Sequence, residues 1–265
     1  MRWFILLILP LAGVGGQEPK KAEEPVSIQK GTLPIIVSAP HGGKNPLPDV
    51  PLRIGKDVKM FAIVRDANTD LLAERFVAEV EKQLSGKVWF VIARCERKYV
   101  DFNRSREAAY ENDKAKPAYD AYHNALDTAC KAVKETHGAG LLLDIHGQGS
   151  FEGQICRGTQ NGKSVTLMLQ RHGRAALTGK NSVFGRMEKA GYKVMPPCDA
   201  KDDAKEESKF NGGFMVQNYG SHTGYGIDVL QLEFGTHLRE RGAYPKTAAA
   251  LADAVVAYHD AYLKK

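Results

Sequence analysis

Cysteine is scarce in this chain and badly spaced for a structural metal site. Cys95, Cys130, Cys156 and Cys198 lie far apart with no C-x-x-C pair, which excludes a zinc ribbon or finger. Four cysteines allow at most two disulfides in three connectivities, and spacing does not choose among them. Blocks of one charge sign are also missing. The 37 Lys and Arg and 31 Asp and Glu are spread along the chain, which argues against a nucleic-acid-binding arm and leaves a small anionic substrate compatible. No repeat at solenoid spacing occurs. Ser150 has no G-x-S-x-G elbow around it, so a serine hydrolase is unsupported. Gly158 to Ser164 falls one residue short of a phosphate loop and carries the turn signal Asn161-Gly162 at its centre.

Long apolar runs are missing too, except at the start. Arg2 precedes an apolar stretch from Trp3 to Val14, followed by Gly15, Gly16 and a polar segment. That is the pattern of a signal peptide, and the run is well short of the ~20 residues of a spanning helix. The expectation is a cleaved leader over 1–16, a polar tether over 17–31, and one exported domain over 32–265 with no other membrane segment.

What the chain does contain is apolar strands that end in reactive side chains. Leu141-Leu142-Leu143 runs into Asp144-Ile145-His146-Gly147, Ile35-Ile36-Val37 into Pro40-His41-Gly42-Gly43, and Val229-Leu230 into Gln231-Leu232-Glu233. Between them, Leu71, Leu72, Phe76, Val80 and Leu84 recur at helical spacing after Asp66, Val88 to Ala93 reads as a strand, and Tyr119 to His137 reads as a helix stopped by Gly138. The β-α-β-α-β order predicts a single α/β domain with a central mixed, largely parallel sheet flanked by helices. Downstream, Gln154–Thr159 and Val165–Leu169 are expected to form a hairpin, 181–190 a helix and 192–195 a short strand. The charge-dense stretch 199–209 is expected to be an exposed loop or lid, and 247–263 a closing helix.

In open α/β sheets the carboxyl ends of the strands line the ligand crevice. A catalytic zinc ion usually takes three His or carboxylate ligands and leaves a position for water. His41 and His146 are the imidazole candidates, each following a buried strand and followed by glycine, which eases a sharp turn and leaves room for a ligand. Asp66 is the candidate third ligand, with Asp70 as the alternative. Asp144 is expected to hold the other ring nitrogen of His146. A charge inside a buried strand is costly unless it is used, so Glu233 is expected to be the general base. The loop Arg94 to Arg106 supplies arginines suited to a carboxylate or an oxyanion. His222 and Tyr225, in the glycine-rich segment Gly220 to Gly226, are candidate substrate contacts. His237-Leu238-Arg239-Glu240 has H-x-x-E spacing, but only His259 follows it.

Taken together, Pro40-His41-Gly42-Gly43, Asp66-x-x-Thr69, Asp101-Phe102-Asn103-Arg104, Asp144-Ile145-His146-Gly147 and Gln231-Leu232-Glu233 resemble the N-formylglutamate amidohydrolase family. The resemblance spans about residues 33–240. It implies the metal-hydrolase fold of the zinc carboxypeptidases and aspartoacylase, with an eight-stranded mixed sheet. It also implies Zn2+ on His41, Asp66 and His146, Glu233 as the catalytic glutamate, and Asn103 with Arg104 gripping a substrate carboxylate. Arg97 falls near the position of a carbonyl-polarising arginine, one residue off in its spacing to Asn103. His41 is followed by Gly42, Gly43 and Lys44 rather than by the H-x-x-E unit of the carboxypeptidases. The implied activity is hydrolysis of a C–N amide bond in an acylated amino acid or short peptide. Formylglutamate is a cytosolic intermediate, so an exported relative is expected to use peptides, cell-wall fragments or environmental acyl-amino acids. The rival readings are a metallocarboxypeptidase and a metal-free module binding anionic ligands.

Overall fold

A computed structural model describes residues 24–264 except 57, 201–206 and 208. The expected leader lies outside the described residues. Seven strands form one sheet among those residues: β1 (Val26–Gln29), β2 (Ile35–Ala39), β3 (Trp89–Ala93), β4 (Leu141–Gln148), β5 (Gln154–Gly158), β6 (Lys193–Met195) and β7 (Asp228–Gly235). Their spatial order is β1-β3-β2-β4-β7-β5-β6. The centre β3-β2-β4-β7 is parallel, β1 and β5 join it antiparallel, and β6 runs parallel to β5. The mixed, largely parallel sheet expected from the sequence is present, with seven strands where the family resemblance implied eight.

Strand alternation sorts the side chains onto two faces. Ile35, Val37, Leu141, Leu143, Ile145, Leu230, Leu232 and Phe234 pack with the helices Thr69–Gln83, Val183–Lys189 and Tyr244–Tyr258. Ile36, Leu142 and Val229 pack on the other face against the long helix Lys116–His137. On this second face the strands begin apolar and end polar. Ser38 lies level with Asp144, Asp144 with Gln231, and His146 with Glu233. The fold therefore places Ser38, Asp144, His146, Gln231 and Glu233 on one face at one end of the central strands.

Three expectations are corrected. The domain starts earlier than residue 32, because Val26–Gln29 forms β1 and the Pro25 carbonyl accepts from the N–H groups of Arg94 and Cys95. Val165–Leu169 is helical, not a strand. Both edges of β5 are already taken by β6 and β7, and Val165 and Met168 bury at helical spacing instead. Within 199–209, Glu207 is buried, accepting from Arg157 Nε at 2.9 Å and from the backbone N–H groups of Thr159 and Asn161. That residue is a clasp rather than part of an exposed lid. All four cysteines are free thiols.

Candidate metal centre

His41 leaves the end of β2, and the two glycines after it are required by close approach. A Cβ on Gly42 would lie 2.3 Å from the Asp70 nitrogen, and one on Gly43 2.4 Å from the Cys95 carbonyl oxygen. Likewise a Cβ on Gly147 would meet Arg239 Nε at 2.5 Å. The glycines let the helix beginning at Thr69 press against His41, so the Asp66 N–H donates to the His41 carbonyl at 2.9 Å. Asp66 thereby turns its carboxylate toward β4, where its Oδ2 accepts from the Gly147 N–H at 3.0 Å.

Three buried donor atoms then converge. Asp66 Oδ2 lies 3.4 Å from His41 Nδ1 and 3.3 Å from His146 Nδ1, and one ligand atom from each residue falls within 4.8 Å of the others. The opposite ring nitrogens face carboxylates: His41 Nε2 is 2.7 Å from Asp101 Oδ1, and His146 Nε2 is 2.8 Å from Asp144 Oδ2. Asp144 is itself fixed by a bond from Ser38, whose hydroxyl also meets Tyr122. Carboxylates on both Nε2 atoms favour the tautomer that carries its proton there and turns the Nδ1 lone pairs inward. His41 Nδ1 is buried with no hydrogen-bond partner. Two ring lone pairs and a carboxylate oxygen sharing one buried space repel unless a cation, a metal ion or a proton, joins them. The residues fit a metal ion, and the donor set of two nitrogens and one oxygen fits zinc chemistry.

Asp66 is thus the third member of the group. Asp70 points elsewhere, 4.0 Å from Arg94, and burial raises its pKa. Burial would raise Asp66 and Asp101 as well, but the charge and hydrogen bonds facing them outweigh it: His41 and His146 hold Asp66, and His41 with Arg97 holds Asp101, well below the usual carboxylate range. Glu233 behaves in the opposite way. Burial pushes its pKa up to about 6, and its hydrogen-bond partner is the neutral Gln231 amide at 3.0 Å rather than a cation.

No protein-family model matches the sequence, and no curated protein does. Among solved structures, the N-formylglutamate amidohydrolase of Ralstonia eutropha JMP134 superposes with a TM-score of 0.63 at 16% identity, covering 91% of this chain and 99% of that one. The fold is that of an N-formylglutamate amidohydrolase. A gene product of Agrobacterium tumefaciens has the same fold, with a TM-score of 0.59 at 14% identity over 90% of this chain and 96% of that one.

Within this amidohydrolase fold the other expected residues divide. Arg97 stands beside the donor group, with Nε and Nη2 on Asp101 Oδ2 at 2.9 and 2.8 Å and Nη1 4.0 Å from Asp66. Asn103 is buried, its Oδ1 accepting from the Met215 N–H and its Nδ2 3.3 Å from the His146 ring, so its amide is engaged with protein. Arg104 is half-buried and spends two of its five N–H groups on the Asn103 and Met60 carbonyls. His222 and Tyr225 are not at the site. They precede β7, whose first residue pairs with Leu141, whereas Glu233 pairs with His146 about 16 Å further along the strands. The Tyr225 hydroxyl instead donates to Asp127. His237 is a surface residue facing Glu152 at 3.3 Å, so its H-x-x-E spacing is coincidental.

Asp101 is the functional residue that residue-by-residue reading left without a role. It is fully buried and joins His41, Arg97 and the Asn103 N–H. Its place in Asp101-Phe102-Asn103-Arg104 was the available signal.

Proposed function

We propose that this chain is an exported, zinc-dependent hydrolase of the C–N amide bond in small acylated amino acids or short peptides. The observation that carries the reading is the convergence of His41 Nδ1, His146 Nδ1 and Asp66 Oδ2, with Glu233 level with His146 on the adjacent strand. Zinc held there would supply a Lewis acid for the scissile carbonyl and lower the pKa of water. Glu233, ionised at neutral pH, accepts the proton of the attacking water and returns it to the departing nitrogen. Asp101 and Asp144 hold the two rings in place. Arg97 presents positive charge beside the site for a developing oxyanion, and Arg104 offers its remaining donors to a substrate carboxylate. Export is supported by the Arg2, Trp3 to Val14, Gly15-Gly16 pattern, and amino-terminal sequencing of the mature protein should find a start near residue 17.

Metal analysis tests the reading directly. Purified protein is expected to carry one zinc per chain, and His41→Ala and His146→Ala are each expected to lose it, because two protein donors remain. Folded wild-type protein with well under one metal per chain after zinc loading would rule the hydrolase out.

A further inference from the structure

The segment joining His41 to Asp66 has its burial inverted. Arg53 is 4% exposed, its guanidinium donating to the carbonyls of Ala62, Arg97 and Ala108 and lying 5.0 Å from the Phe61 ring. In the same segment Met60 is 86% exposed, Ile54 and Val64 77%, Leu52 55% and Ile63 44%. Among the described residues these are five of the six large apolar side chains left in water. The backbone beneath them is tied down, by Arg53 and by Glu111, whose carboxylate accepts from the N–H groups of Ile54 and Gly55. Exposed large apolar side chains concentrated in one stretch of chain on a fixed backbone point to a contact surface.

Its position says what it contacts. Val64 lies two residues from Asp66, the Arg65 guanidinium donates to the Gly42 carbonyl next to His41, and the Met60 carbonyl accepts from Arg104. The exposed apolar residues and the guanidinium groups of Arg65 and Arg104 are thus tied by chain and by backbone hydrogen bonds to the residues of the donor group. We infer that Met60, Ile63 and Val64 form the apolar wall of a substrate subsite, for a ligand that carries a large apolar group close to a carboxylate. The inference rests on the hydrolase reading and deepens it, since neither half of formylglutamate is apolar. The apolar group has two sources, a long acyl chain or an apolar amino-acid side chain.

Two substrate pairs separate those sources: N-acetylglutamate against N-octanoylglutamate, and N-acetylglutamate against N-acetylleucine. kcat/KM is measured on zinc-loaded protein, and Kd by calorimetry on Glu233→Gln protein, in which turnover is suppressed. A fully buried methylene is worth about fourfold, so half-burial of the six extra methylenes of octanoyl corresponds to about sixtyfold. The expected result is a rise of that order along one pair, cut to a few-fold in the combined Met60→Ser, Ile63→Ser and Val64→Ser variant. Hydrolysis with no preference along either pair overturns the subsite and leaves the hydrolase standing. Tighter binding of the apolar member with no amide cleaved in any compound supports the subsite and removes the hydrolase. Flat pairs, together with co-sedimentation on phosphatidylglycerol vesicles that the triple variant loses, assign the patch to a bilayer and overturn the proposal.

Discussion

Glu233 and Asp101 are both buried carboxylates within one strand spacing of the donor group, and they differ in what faces them. Asp101 meets an imidazole and two guanidinium nitrogens; Glu233 meets a neutral amide. Asp101 is therefore a permanent anion that positions His41, while Glu233 is held near the point of titration, as a proton carrier requires. Glu233→Gln is expected to lower kcat by ~10²–10⁴-fold with zinc content unchanged. Because Glu233 has no cation to strand, its melting temperature should not fall; a variant that melts early yet turns over normally per folded molecule would make Glu233 structural. Asp101→Asn is expected to weaken zinc affinity by about 10–100-fold, since it removes the acceptor that orients His41. Competition with a chelator of known affinity measures this, and unchanged affinity would reduce Asp101 to an Arg97 partner.

At the scale of elements, β4 carries most of the positioning. Its Leu141, Leu143 and Ile145 bury on the face of the Tyr244–Tyr258 helix, and the alternate residues Asp144 and His146 are thereby forced onto the face that Ser38 and Glu233 share. The edge strand β1 has a quieter role. It caps β3, buries Val26, and supplies the Pro25 carbonyl to Arg94 and Cys95 at the start of the arginine loop. A chain beginning at Lys30 should therefore be less stable than one beginning at Glu24 by at least about 2 kcal/mol, the cost of losing Val26 burial alone. Denaturant melts of the two chains check this, and equal midpoints would show that β1 is dispensable.

For the whole molecule, the site's carboxylates couple folding to pH in two windows. Burial raises Glu233 from its ordinary 4.5 to about 6, so between those values the folded state holds the extra proton and stability falls as pH rises, by about 2 kcal/mol. Asp66 and Asp101 are depressed, so their contribution is present above their ordinary 3.8 and is lost as pH falls below it. In chelator-treated protein, Glu233→Gln should gain stability relative to wild type as pH rises from 4.5 to 6 and show no further relative change above 7. A difference independent of pH would mean that Glu233 does not titrate there. On the proposed reading zinc binds only the folded state, so at a hundredfold excess over Kd it should stabilise the fold by about 2.7 kcal/mol, read as a drop in melting temperature on chelation.

Local pattern was enough to reveal His41, His146 and Glu233. Each closes an apolar strand, and strands of a parallel sheet end together, so the convergence was legible one element at a time. The period of two likewise put Asp144 and His146 on one face. Other features depend on how elements meet. Asp66 and Asp70 both have helix-start chemistry, and only the approach of that helix to Gly42 decides which carboxylate turns toward the rings. Asp101 sits in a loop whose partners are 60 residues away in His41 and four away in Arg97. His222 and Tyr225 lie in a loop that the direction of β7 carries to the far end of the sheet. Val165–Leu169 looks like a strand until both edges of β5 prove to be occupied. A side chain's periodicity is set by its own element, so sequence alone determined the central strands β2, β3, β4 and β7, their buried faces and the residues at their ends. Register, edge occupancy and the closeness of backbones are properties of pairs of elements, and only the tertiary structure decided them.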